Sequence, residues 1–264
     1  MRTFIALLSA IALAIVPAAL LSEAQAASRY SVSLHVSKTE IAHGTSVVFS
    51  GKVSPAAKGS TVSIQYFDVD QGGNRWRTID HATVKSDGTY ARSIVARDGS
   101  TSYRVFKFAG SGLSSGASPS VLIRAYSWQT MYFSDLIRYG EQYVDQYGPQ
   151  TVAGVPVEHY WATTSTAAGA SRWSTTGTCK RLRADVGLDD RSDAGADSQF
   201  RIHADADVVY SLRVKKGTIV PVDLPLDRAN TISVKFSAEA RNDLVPVYVV
   251  AANPRMYCAF PEDD

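Results

Sequence analysis

The sequence predicts an all-β protein of two units, and three observations predict it. Apolar and polar residues alternate with period two along much of the chain, the pattern of strands with one buried face. Turn signals such as His43-Gly44, Ser54-Pro55, Asp87-Gly88 and Asp98-Gly99 fall between the alternating runs. A helical rival exists at residues 134–147, where Leu136, Tyr139, Tyr143 and Tyr147 are spaced 3, 4 and 4, but Gly140 and the aromatic content weaken it.

Composition and charge agree with this division. The 264 residues are 45% hydrophobic and 20% charged, which excludes a disordered chain and a multi-span membrane protein. Residues 27–125 carry 12 basic and 6 acidic side chains, whereas 126–264 carry 14 and 18. The net charge of +2 therefore conceals a unit of +6 joined to one of −4. A cationic unit could rest on anionic wall polymers, an attraction that salt weakens. The plainer account is two ordinary solvated surfaces.

Residues 1–26 read as a secretory signal. Arg2 supplies the positive start, residues 4–21 form an apolar run, and Ala24-Gln25-Ala26 has the small residues a signal peptidase needs. The competing reading is an uncleaved anchor; Pro17 inside the run and the Ala-x-Ala site favour cleavage. The mature protein is expected to be secreted, extracellular or wall-associated, with no membrane span left. In that oxidising compartment Cys179 and Cys258, 79 positions apart, should close a disulfide. Two thiols without a neighbouring Cys or His make a poor zinc site.

Residues 27–125 form the first unit. Val32, Leu34 and Val36, then Val62, Ile64 and Tyr66, then Val121 and Ile123 mark alternating strands, with a β-rich stretch at 46–53. Short strands at this density suit an immunoglobulin-like β-sandwich. Tyr103 sits where a tyrosine corner would place its hydroxyl on backbone, and Val105 takes the place of the antibody cysteine. The stretch 33–53, with Trp76-Arg77-Thr78 and Ser86-Asp87-Gly88-Thr89-Tyr90, resembles the bacterial Ig-like repeat of secreted actinobacterial proteins. That resemblance implies a spacer or presentation module and brings no catalytic residues.

An aromatic-rich junction, 126–149, leads into the second unit, 150–264. Strand patterns recur there at Leu182, Ala184 and Val186, at Phe200 and Ile202, and through 208–214, 219–224, 232–236 and 245–249. Pro221 marks its strand as an edge or a bulge. Several segments, Trp173-Ser174-Thr175-Thr176, Ala184-Asp185-Val186-Gly187-Leu188-Asp189-Asp190, Phe200-Arg201-Ile202 and Pro254-Arg255-Met256-Tyr257-Cys258, resemble the NPCBM family of carbohydrate-binding modules. The resemblance covers roughly 150–260 and implies a galactose-binding-like jelly-roll β-sandwich. The chain departs from the family before the last strand. Where an Asp-rich, Trp-containing segment is common, it has Leu244-Val245-Pro246-Val247-Tyr248.

Candidate chemistry is sparse. Gly112-Leu113-Ser114-Ser115-Gly116 matches a nucleophile-elbow pattern, but it sits in a Ser/Gly loop between strands rather than on a strand-to-helix turn. The histidines are scattered singly, without metal-ligand spacing. Asp68 to Gly73 reads as a hairpin turn. The acidic loop 189–197 could offer oxygens to Ca²⁺; alternatively Asp189 or Asp190 bonds backbone amides and pairs with Arg201. Ten of the 26 aromatic residues fall within 126–173, either packing the junction and the core or offering flat faces to a sugar. Basic residues are too dispersed for a nucleic-acid surface.

The expectation is a noncatalytic protein that binds a cell-wall or extracellular glycan, with Tyr160, Trp161, Asp189, Asp190 and Arg201 as ligand-binding residues. No cofactor is expected beyond Ca²⁺ at the acidic loop. The alternative is a cell-envelope structural or adhesion protein that binds a surface protein.

Overall fold

A computed structural model describes residues 28–70, 73–131, 144–145, 149–158, 160–163, 169–237 and 247–260. The described residues form strands, turns and loops, and no helix among them is long and apolar enough to cross a membrane. The leader at 1–26 lies outside them. So does the helical rival at 134–147, except for a two-residue strand within it.

The first unit runs through β1 (Ser31–Val32), β2 (His35–Val36), β3 (Glu40–Ala42), β4 (Ser46–Ser54), β5 (Thr61–Asp70), β6 (Gly73–Thr83), β7 (Thr89–Val95), β8 (Gly99–Lys107), β9 (Gly116–Ala117) and β10 (Val121–Thr130). In one sheet β4 pairs with β1, β2 and β7; in the other the order is β6-β5-β8-β10, with β3 parallel to β10. Alternation sends Val47, Phe49 and Val53 of β4 inward to meet Val62, Ile64, Val105 and Ile123 of the opposite sheet. The expected hairpin forms, with Asp70 opposite Gly73. The Ser114 loop leads into strand β9 rather than a helix, so it does not build a nucleophile elbow.

Tyr103 makes the backbone contact expected of it. Its ring is fully buried and its hydroxyl accepts the Arg97 N–H at 2.8 Å. Tyr103→Phe keeps the packing and deletes that acceptor. It should destabilise the protein by about 1 kcal/mol, measured by urea unfolding. An unchanged midpoint would show that water replaces the hydroxyl.

The second unit runs through β11 (Val144–Asp145), β12 (Gln150–Val152), β13 (Val155–Val157), β14 (Tyr160–Thr163), β15 (Gly169–Ser174), β16 (Cys179–Leu188), β17 (Asp197–Ala204), β18 (Asp207–Lys215), β19 (Ile219–Pro225), β20 (Thr231–Ser237) and β21 (Val249–Cys258). One sheet is ordered β11-β14-β21-β16-β19 and the other β15-β20-β17-β18. Leu182, Val186, Phe200, Ile202, Ile232 and Met256 fill the space between them. This is a two-sheet sandwich, and a jelly-roll β-sandwich fits it. Among the described residues β19 pairs with β16 alone, so Pro221 does stand on an edge strand. Pro254 has no N–H to donate, yet it lies in the central strand β21. The chain accommodates it beside a register shift and a left-handed Asn253 at φ 47°.

The two units share a strand. β10 pairs with β8 as far as Ala125 and then continues, so that Ser127 to Thr130 pair with Cys258 to Arg255 of β21. Around this seam Tyr126 stacks on Tyr257 at 5.4 Å and Lys180 Nζ lies 4.2 Å from the Tyr126 ring centre. Glu40 pairs with Lys180 at 2.6 Å and also with Arg228. The seam therefore joins an acid of the basic unit to bases of the acidic one. Gross charge does not explain the contact.

Tyr126 of the aromatic junction is thus buried in the seam, and the half-buried Trp128 packs against Tyr257 at 5.3 Å. Tyr132, Phe133, Tyr139, Tyr143 and Tyr147 lie outside the described residues.

Candidate functional site

At one end of the second sandwich, β16 runs out of Leu188 into Asp189, and the hairpin of β12 and β13 lies against it. Gly187 permits that approach. A Cβ there would stand 2.3 Å from Val152 Cγ1 and 2.8 Å from the Thr218 carbonyl oxygen, closer than any packed side chain allows. The Val-Gly-Leu-Asp-Asp run read from the sequence therefore has a physical cause: a missing side chain admits the hairpin, and two carboxylates then hold it.

Asp189 is almost wholly buried, 1% exposed. Its carboxylate accepts the Thr151 N–H at 3.2 Å, the Arg191 N–H at 2.8 Å and Arg191 Nε at 2.6 Å. Asp190 donates its N–H to the Thr151 carbonyl at 2.7 Å and accepts the Gly154 N–H at 2.9 Å. Both acids thus bond backbone amides, one of the two expectations for them. The partner is different. Asp189 pairs with Arg191, two positions on, because the turn folds that side chain back; Arg201 lies on β17 of the other sheet and donates to Gln199 at 2.7 Å. Among the described residues no set of three His, Cys, Asp or Glu could hold a metal ion. Asp197, at the far end of the acidic loop, is engaged with Arg213.

Arg191 is what this scaffold presents. Its Nη2 donates to Gln150 Oε1 at 2.6 Å and its guanidinium lies 5.2 Å from the Tyr248 ring centre. The hydrogen bond it donates to the Asp189 carboxylate raises its pKa above the ordinary arginine value, so the charge is permanent. The side chain nevertheless remains 58% exposed. Tyr248 is half-buried and is fastened by its own backbone. Its N–H donates to Ser192 Oγ at 3.0 Å and its carbonyl accepts the Asp189 N–H at 2.9 Å. The result is a fixed cation beside an aromatic ring.

Tyr160, expected at a ligand face, is instead a core residue. It is 4% exposed and packs with Val152, Val157, Ala162, Val250 and Ala252. Inward alternation on β14 withdraws the ring from solvent. The backbone of Trp161 pairs with Ala251, and its side chain lies outside the described residues, as does that of Trp173. Arg191 and Tyr248 were missed by sequence reasoning. Arg191 stands inside the acidic loop, which was read for its carboxylates alone, and Tyr248 lies in the segment where the chain departs from the family it resembles.

The NPCBM/NEW2 domain model matches residues 162–244. The NPCBM resemblance read over roughly 150–260 is met by this match, which contains Asp189, Arg191 and Arg201 but ends before Tyr248. No curated protein matches the chain.

Among solved structures, the chain is similar to a CBM51 from Clostridium perfringens GH95 in complex with methyl-galactose. The identity is 13% and the TM-score 0.40, over 48% of this chain and 99% of that one. It is also similar to the CBM51-2 and INT domains of Clostridium perfringens ZmpB in complex with GlcNAc, at 9% identity and a TM-score of 0.41. That likeness covers 85% of this chain but only 48% of the other. A third likeness, to the CBM22-1-CBM22-2 tandem of Paenibacillus barcinonensis Xyn10C, has 10% identity and a TM-score of 0.28, over 87% and 93%. Scores of this size do not establish a shared fold, so the sandwich rests on the strand pairing itself.

Proposed function

We propose that the chain is a secreted, noncatalytic carbohydrate- or cell-wall-binding protein. Its second unit would bind the glycan, and its first would act as an Ig-like spacer. The NPCBM/NEW2 match over 162–244 carries this reading. The Arg191–Tyr248 platform supports it physically, because a fixed guanidinium offers directional donors to sugar hydroxyls while the ring supplies an apolar face.

The test is a glycan array together with a cell-wall pull-down, using oxidised protein. The wild type should be retained, and Tyr248→Ala and Arg191→Gln should each weaken retention about tenfold, a loss near 1.4 kcal/mol. Circular dichroism on both variants separates lost binding from lost folding. If neither the array nor the pull-down retains folded wild-type protein, the reading fails.

A further inference from the structure

The outer face of the sheet where β10, β21, β16 and β19 meet holds a groove of about 550 Å³. Four side chains cross it in one row because their backbones are paired in register: Thr130 opposite Arg255, Arg255 opposite Arg183, and Arg183 opposite Asp223. Two guanidiniums directly opposite on neighbouring strands repel, and such a pair destabilises a sheet unless something offsets it.

Asp223 offsets one of the two. It accepts Arg183 Nε at 2.9 Å and Arg181 Nη2 at 3.0 Å. Arg255 has no hydrogen-bonding or ion-pair partner among the described residues. Its guanidinium lies 5.4 Å from the Trp128 ring centre, and that of Arg183 lies 4.6 Å from the same ring. Among the described residues, one cation of the row is left without an anion.

Two further polar side chains of the lining lack partners among the described residues. Asn253 and Asp185 border the groove, and neither side chain has a hydrogen-bond partner among the described residues. The left-handed backbone at Asn253 places an exposed amide where the strand would otherwise continue flat.

We propose that this groove binds an acidic saccharide unit, a sugar carrying a carboxylate or a phosphate, with the anionic group on Arg255 and the hydroxyls on Asn253, Asp185 and Thr130. A neutral sugar would leave the Arg183–Arg255 repulsion in place. A bare anion would leave Asn253 and Asp185 unused and would meet the Asp185 charge. A sugar bearing one acidic group answers both ends, and the volume suits a ligand of that size. The groove is distinct from the Arg191 platform: its lining lies on the paired strands and includes none of Asp189, Arg191 and Tyr248.

The experiment is calorimetric titration of the full oxidised chain with galacturonate, galactose 6-phosphate and galactose at low salt. Binding of at least one acidic sugar about tenfold tighter than galactose is expected. Whichever of the two binds more tightly identifies the carboxylate or the phosphate as the source. Arg255→Gln should abolish that preference. Asn253→Gly, which relieves the left-handed backbone and so should fold at least as well, should weaken binding of the acidic sugar about threefold or more. Arg191→Gln should leave the preference intact, which separates this groove from the platform above. Equal binding of all three sugars, or an acid preference that survives Arg255→Gln, overturns the proposal.

Discussion

Removal of the disulfide should produce the largest loss of stability. Cys179 and Cys258 are direct cross-strand partners on β16 and β21, both buried, and they close a separation of 79 residues. The chain-entropy treatment gives about 4.5 kcal/mol for a loop of that length. For a protein of this size that corresponds to a fall in melting temperature of roughly 10 °C or more. The variant to measure is Cys179→Ala with Cys258→Ala, because serine would bury two hydroxyls without partners. β21 pairs with β10, β14 and β16, so loosening its end should also weaken the strand shared by the two units. Calorimetric scans of the variant, and of wild type with and without reductant, measure the effect. Melting within about 1 °C of the oxidised protein would show that the sandwich closes without the bond.

Asp189→Ala should be the next most damaging change, at about 2 kcal/mol. Little of this comes from the ion pair, since the Arg191 side chain is 58% exposed and water screens it. The cost arises because the Thr151 and Arg191 N–H groups lose their acceptor while a buried space opens. Asp189→Asn should be milder, because its carbonyl oxygen can still accept from one of them. Urea unfolding measures the stability difference. The same variants titrated with a retained glycan measure the function, since Arg191 loses the anchor that fixes it. If Asp189→Ala unfolds at the wild-type midpoint, the carboxylate does not hold the hairpin.

Much of the fold is legible in local pattern. Alternation at Leu182, Ala184 and Val186 predicts the buried face of β16, because neighbouring residues on a strand must point opposite ways whatever the strand pairs with. The tyrosine contact at Arg97, the Asp68–Gly73 hairpin and the edge position of Pro221 are short-range features of the same kind. The site is less legible. The bonding of Asp189 and Asp190 to backbone amides was read, but the partner was placed at Arg201, because a turn that folds Arg191 back on Asp189 leaves no periodic trace. Tyr160 looked like a ligand-facing aromatic, and only the packing of β14 against β21 shows that it is core.

The all-β class and the pairing of the two cysteines are readable from the chain before it folds. Each follows from residue chemistry and from spacing along one strand. Tertiary structure decided what stands beside what: the strand β10 shared by both units, the Arg191–Tyr248 platform, and the row from Thr130 to Asp223. That row joins positions more than 90 residues apart, and its register is set by how whole strands pack rather than by any local propensity.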